Sequence, residues 1–294
     1  DARIKLDNIC AYDRSSALGR IKTWAKATWQ IYRKLKRDYK DYEIVYVTNP
    51  PMAYLCSLRL KNPFSVIVFD TYPDALSNIG IRKGNPLFNM WAGWNRKLFL
   101  KAKNVFTLSE GMADRLGSYM DRSKITVVPC WSANSSFAPI PKEENPFVQE
   151  HGLEGKFVVM YSGNMGVTHN VQLLVECAKR LREDVRIHFM LIGGGTKKME
   201  LEAKVKSEGL ANCTFMNWLP AERLPYSLAA ADLGVVSLTD ETALVSVPSK
   251  TFNLLAVGCP LMCIVPQRSE IARMVDKYEN GKCFEVNEVN RMVD

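Results

Sequence analysis

The strongest constraint on this chain is a repeated alternation of short, β-branched apolar runs with amphipathic stretches of helical period. In the first half EIVYVTNPP, SVIVFDTYPD, NVFTLS and ITVVPC are such runs, most of them closed by turn residues. Apolar runs of that length suit strands buried on both faces of a parallel sheet. Between them lie NPLFNMWAGWNRKLFLKA and EGMADRLGSYM, which read as helices. Ahead of them, residues 15–38 place Leu18, Ile21, Trp24, Ala25, Ile31 and Leu35 near three- and four-residue spacings among seven Lys and Arg, with Ser15 or Ser16 as N-cap. Alternating strand and helix specifies an α/β fold around parallel sheets.

The alternation breaks once. Residues 131–155 are rich in Pro, Ser, Asn and Glu and have no sustained period. The pattern then restarts with KFVVMYSG, RIHFMLIGGG, CTFMNWL, DLGVVSL and PLMCIV, separated by four helical stretches. Five strands and four helices make a complete Rossmann-like domain. The expected organisation is therefore two Rossmann-like domains, 1–135 (incomplete) and 156–294, joined by a linker at 136–155. A chain of 294 residues, 47% hydrophobic, can supply two cores. It has no uninterrupted apolar run long enough to span a membrane, and DARIKLDNIC lacks a signal peptide's basic and apolar regions, so a cytoplasmic location is expected. Eight scattered cysteines without a CxxC pair read as reduced core thiols, and three distant histidines give no metal-ligand spacing. Charge is uneven: residues 1–140 carry 22 Lys+Arg against 11 Asp+Glu, and the remainder 17 against 20. One half is suited to meeting something anionic.

Three segments could carry chemistry. VVMYSG runs through NMG into a helix, so Gly163 and Gly166 allow either a close anion approach at a helix N-terminus or an ordinary turn. Gly193, Gly194 and Gly195 follow the next strand at the same sheet edge, where ligands of open α/β sheets bind. In VPSKTFNLLAVGCP, Pro248 starts a helix, so Ser249 and Lys250 stand in its first turn. A lysine there opposes the helix dipole unless an anion is present; phosphate contact is preferred over a solvated surface residue.

SGNMG before a helix, GGG after a strand, AAADLGVVSL, VPSKTFNLLAVGCP and SEIARMV, in this order, resemble the donor domain of glycosyltransferase family 4. The likeness is greatest to its bacterial, WbuB-like branch that transfers amino sugars. VTNPP, FDTYPD, TLSEGMADRL and ITVVPCW resemble that branch's acceptor domain, so the likeness covers nearly the whole chain. The resemblance implies two Rossmann-like domains facing across a cleft (glycosyltransferase type B) and a nucleotide-sugar donor, UDP-linked by analogy with the family. It also implies transfer with retention and no metal or other cofactor. Carried over by position, Gly163, Asn164, Gly166, His169 and Gly194 lie by the donor phosphates, and Ser249 and Lys250 hold the diphosphate. Trp218 and Leu219 flank the base, while Glu241 to Val247 and Asn253 lie near the donor sugar. The sequence departs from the family at Asn164 and His169, where many members have Arg and Lys, and at Val245 and Asn253, where they have glutamates. It also lacks the usual opening strand and glycine-rich loop and stops at Asp294, where members continue with helices that cross back to the first domain, so the resemblance implies a chain truncated at both ends.

The implied reaction moves an N-acetylhexosamine-type sugar to a hydroxyl of a glycan or polyprenyl-phosphate-linked acceptor, in surface polysaccharide synthesis. Lys250 and helix N-termini would stabilise the departing diphosphate. Asp70, Tyr72 and Asp74 are candidates for orienting the acceptor, against the simpler reading of turn chemistry. His169 reads as a turn residue rather than a base, and Glu110 after Ser109 as part of a helix cap. The basic helix at 15–38 either lies on an anionic membrane surface or simply covers the sheet. A non-catalytic nucleotide-binding scaffold and a basic nucleic-acid-binding protein are the alternatives; no nucleic-acid module supports the second.

Overall fold

A computed structural model describes residues 6–13, 16–79, 82–128, 136–167, 169–239, 243 and 248–294. The chain forms two compact units, Asp1–Pro129 and Cys130–Asp294.

The first unit opens with helix α1 (Ala17–Asp38), capped by Ser16, whose Oγ accepts from the Gly19 N–H at 2.9 Å. Strands β1 (Ile44–Val47), β2 (Phe64–Val68), β3 (Val105–Thr107) and β4 (Ile125–Val127) follow, with α2 (Pro86–Lys101) and α3 (Glu110–Leu116) between the later ones. The four strands pair in parallel in the order β1-β2-β3-β4. Asn85 caps α2 ahead of Pro86, and Ser109 caps α3 by accepting from Met112 N–H at 3.2 Å. Val66, Val68, Leu98 and Leu116 are buried together in the core.

Inside this core sits one polar network. The Trp91 indole N–H donates to Tyr54 Oη at 2.9 Å, and Tyr54 donates to Asn95 Oδ1 at 3.1 Å. Asn95 Nδ2 in turn donates to the Tyr72 carbonyl at 2.6 Å, tying α2 to the loop after β2. Truncation of Asn95 removes the acceptor of the Tyr54 hydroxyl, which keeps only the bond from Trp91, and the side-chain donor to the Tyr72 carbonyl. Asn95→Ala is therefore expected to lower the unfolding free energy by about 2–4 kcal/mol. An unchanged urea midpoint would show that the network adds nothing to stability.

The second unit begins with α4 (Pro146–Glu150), then β5 (Phe157–Asn164), α5 (Gln172–Arg180), β6 (Ile187–Gly194), α6 (Lys198–Ser207) and β7 (Cys213–Met216). It continues with α7 (Leu224–Ala229), β8 (Leu233–Ser237), α8 (Ser249–Ala256), β9 (Leu261–Ile264), α9 (Glu270–Tyr278), β10 (Gly281–Phe284) and α10 (Val289–Val293). Six parallel strands run in the order β10-β9-β8-β5-β6-β7. The chain builds outward from β5 to β7, then returns to lay β8 on the other side of β5. The β5/β8 boundary is a topological switch point, where ligands bind beyond the carboxyl ends of the strands. Apolar clusters cover both faces, one around Val158, Leu254 and Ile271, the other around Val175, Leu191 and Leu201.

Two expectations change. The sheet has a sixth strand, β10, beyond the five read from sequence. The segment expected as a linker instead packs Phe147, Val148 and Leu153 into the second unit's core, because a short helix capped by Asn145 turns its apolar pair inward and Leu153 follows just after it.

Candidate functional site

The site begins where β5 and β6 end. Their register pairs Gly163 with Gly193 and Asn164 with Gly194. A Cβ at Gly193 would lie 2.0 Å from the Gly163 carbonyl oxygen, so only glycine lets the two strands close here. Gly195, at φ +144°, is similarly confined, with the Met165 carbonyl carbon 2.5 Å from where its Cβ would be. The Met165 N–H donates to the Gly194 carbonyl at 2.7 Å, and Lys197 N–H donates to the Met165 carbonyl at 3.0 Å. These bonds lock the Gly163–Gly166 turn against the start of α6. Gly166 lies against the Asn164 amide, 3.0 Å from its would-be Cβ.

Lys250, in the first turn of α8, reaches this turn from across the sheet edge. Its Nζ would be 2.7 Å from a Cβ on Gly163 and lies 3.9 Å from the centre of the Tyr161 ring. The ammonium is shielded from solvent and has no hydrogen-bond partner among the described residues. Burial alone pushes its pKa down to about 7. The Tyr161 ring supplies a cation–π contact, and its hydroxyl donates to the Asn164 carbonyl at 2.6 Å. Pro248 precedes α8 and provides no side-chain cap; the Thr251 N–H turns back to the Pro248 carbonyl at 3.0 Å, so the Ser249 and Lys250 N–H groups are the ones an anion would meet.

A second lysine converges on the same loop. Lys197 Nζ donates to the His169 carbonyl at 3.3 Å and to Gln172 Oε1 at 3.4 Å, beside the start of α5. His169 is half-buried; burial first, then Lys250 and Lys197, push its pKa down to about 4, leaving the ring neutral near pH 7. Asn170 N–H donates to Ser237 Oγ at 3.0 Å, joining this loop to the end of β8 at the switch point. Electron-rich ligands therefore meet a glycine turn, a buried ammonium, a second lysine and open helix amides. The arrangement suits a diphosphate.

The other candidates are placed as follows. Trp218 is exposed and its indole nitrogen would be 2.9 Å from a Cβ on Gly194, so it borders the site at the β6/β7 end. Leu219 is half-buried and packs on the core, which leaves Trp218 as the more available surface for a flat ligand. Ser249 is exposed at the start of α8 and Asn253 is half-buried one turn later. Glu241 and Val245 lie outside the described residues. In the first unit, Asp70 is exposed after β2, and its backbone N–H donates to Thr48 Oγ1 at 3.0 Å. Asp74 accepts from Tyr119 Oη at 2.5 Å, so its carboxylate is engaged in holding the loop to the core. Ser109 caps α3, while Glu110 pairs with Arg122. Among the described residues no three His, Cys, Asp or Glu side chains converge as a metal site would need. No described helix is long and apolar enough to cross a membrane. Sequence reasoning missed Tyr161, Lys197 and Ser237; a lysine directly following the glycine turn was the available signal for Lys197.

Comparison with known proteins bears directly on this geometry. Residues 156–294 match the family described as Glycosyl transferases group 1. Relatives extend the likeness into the first unit. WcaI of Escherichia coli K12, named as a colanic acid biosynthesis glycosyl transferase, is 25% identical over 243 residues, 80% of this chain and 60% of the relative. The glycosyltransferase WbjE of Pseudomonas aeruginosa is 20% identical over 240 residues, 81% of this chain and 59% of the relative. The chain thus spans about three fifths of the length of these curated relatives. Among solved structures, HepE of Anabaena in complex with UDP superposes with a TM-score of 0.67 at 14% identity, covering 95% of this chain and 72% of that one. Sucrose-phosphate synthase of Thermosynechococcus elongatus gives a TM-score of 0.67 at 14% identity over 95% of this chain and 68% of that one. At that identity the likeness establishes the fold: two parallel α/β units as in these glycosyltransferases.

Proposed function

We propose that this protein is a glycosyltransferase of bacterial surface-polysaccharide synthesis that binds a nucleoside-diphosphate sugar in its second unit. The carrying observation is Lys250, a buried ammonium with no hydrogen-bond partner among the described residues, at the switch point beside the Gly163 turn. A buried cation without a partner is costly, and a diphosphate supplies the missing charge. Lys250, the α8 amides and Lys197 stabilise charge developing on the departing diphosphate, so the donor is held without a metal ion. Lys197 supplies a positive charge near the position where His169 replaces the family's usual lysine. UDP is the expected nucleotide, consistent with the UDP complex of HepE, and Trp218 offers a face for the base. The WbuB-like likeness points to an N-acetylhexosamine-type sugar, a glycan or polyprenyl-phosphate-linked acceptor, and retention through attack on the face the leaving group departs from. The basic helix α1 is suited to an anionic lipid surface.

Thermal stability with UDP, GDP, ADP and NAD, each with and without EDTA, tests the donor site. Stabilisation by one nucleoside diphosphate, unchanged by EDTA, is expected; no shift with any of them would refute the site. On the acceptor side, Asp70 has an open carboxylate, whereas Asp74 is engaged by Tyr119. Asp70→Asn is expected to reduce sugar transfer at least about tenfold while leaving UDP binding intact. Equal loss of UDP binding would contradict an acceptor role.

A further inference from the structure

Cys263 of β9 and Cys283 of β10 are register partners in the parallel ladder. Their side chains therefore leave the same face of the sheet from backbones one strand spacing, about 4.8 Å, apart. Disulfides bridge Cα separations of roughly 4.4–6.8 Å, so the pair stands within reach. Cys263 is fully buried, and Cys283 packs against the apolar cluster that contains it. Cys283 is half-buried and lines an open cavity of about 400 Å³ with Arg273, Asp276, Lys282 and Arg291. Both cysteines are free thiols, and β10 is the edge strand, free to shift without disturbing a second ladder.

We infer that Cys263 and Cys283 are a modification site, a dithiol that a small anionic disulfide of the glutathione class converts to an intramolecular disulfide. The cavity wall carries Arg273, Lys282 and Arg291 beside Asp276; Arg291 also pairs with Glu288 and Arg273 lies 3.9 Å from Glu270, so Lys282 is the cation that favours an anionic reagent. Cys283 is the entry point: the neighbouring Cys263 thiol holds its own below the ordinary range, while burial pushes Cys177 up to about 11 and Cys213 and Cys259 up to about 12. The Cys283 proton goes to solvent and the thiolate attacks one sulfur of the small disulfide. That S–S bond breaks, and the first small thiolate leaves with the electron pair and takes up a proton. Cys263 then loses its proton and attacks the Cys283 sulfur of the mixed disulfide, expelling the second small thiolate, which is protonated in turn. Two protein thiols are oxidised and one small disulfide is reduced to two thiols.

The test is incubation of the whole chain with oxidised glutathione, alkylation of remaining thiols, and non-reducing tryptic mass spectrometry. Peptide 283–291 is expected linked to peptide 251–268, with fragment ions placing the link at Cys263 rather than Cys259. Dithiothreitol is expected to restore both thiols. Cys263→Ser should trap a stable glutathione adduct on Cys283, and Cys283→Ser should leave Cys263 unmodified. Circular dichroism identifies which variants have folded. The proposal is overturned if wild-type Cys283 retains glutathione without the cross-link. Equal reaction of Cys263 in Cys283→Ser, or modification confined to Cys10, would overturn it as well.

Discussion

Replacing Lys250 with methionine is expected to leave the unliganded protein at least as stable as before while removing its stabilisation by nucleoside diphosphate. Methionine keeps most of the side-chain volume against Tyr161 and discards a buried charge with no described hydrogen-bond partner. With the pKa at about 7 in the fold and 10.5 as the ordinary value, the folded chain binds fewer protons than the unfolded one between those limits. Lysine's contribution to stability therefore rises with pH through that window and is least favourable below about pH 7, where the fold must bury the charge. A bound diphosphate reverses the balance by raising the pKa again. Binding near pH 8.5 should thus take up a fraction of a proton approaching one, seen by titration calorimetry in two buffers of different ionisation enthalpy. Lys250→Met is expected to show no such uptake and to bind about 10- to 150-fold more weakly, as for loss of a charge-assisted contact. Wild-type-like affinity in the variant would remove Lys250 from the site.

The glycines at the strand ends should separate fold from binding. Gly193→Ala is expected to lower stability by at least about 3 kcal/mol, because its Cβ would meet the Gly163 backbone oxygen at 2.0 Å inside a register-locked strand pair. Gly163→Ala strains the backbone at φ +158° but is expected to fold with a smaller loss, since its Cβ meets the far end of the Lys250 side chain at 2.7 Å, which is able to swing away. That displaced ammonium should weaken nucleotide binding about tenfold or more. Thermal midpoints with and without UDP distinguish the two variants. Equal destabilisation by both would mean that Gly163 is confined by backbone rather than by Lys250.

Much of this was legible in the sequence because local and global signals agree. β2 reads FSVIV and is buried almost throughout, as a central parallel strand must be. The caps at Ser16, Asn85 and Ser109 stand at the helix starts their side chains suggest. Lys250 was legible because a first-turn lysine opposes the helix dipole. β10 was not: GKCF is four residues with a lysine inside, and only its pairing with β9 makes it a strand. Lys197 and Lys198 look alike in sequence, yet Lys198 is buried, donating to the Met216 carbonyl at 2.9 Å, while Lys197 points back to the His169 loop. No period distinguishes adjacent lysines; the neighbouring strand does.

The placement of β8 beside β5 also has a consequence for biosynthesis. Val159 pairs with Leu233, so the crevice closes only after about seventy further residues have left the ribosome. Until then β5, β6 and β7 can assemble with their glycine turn, but Ser237 and Lys250 have not yet been made. Nucleotide affinity should therefore appear abruptly in nascent chains, once α8 has emerged, rather than grow with chain length.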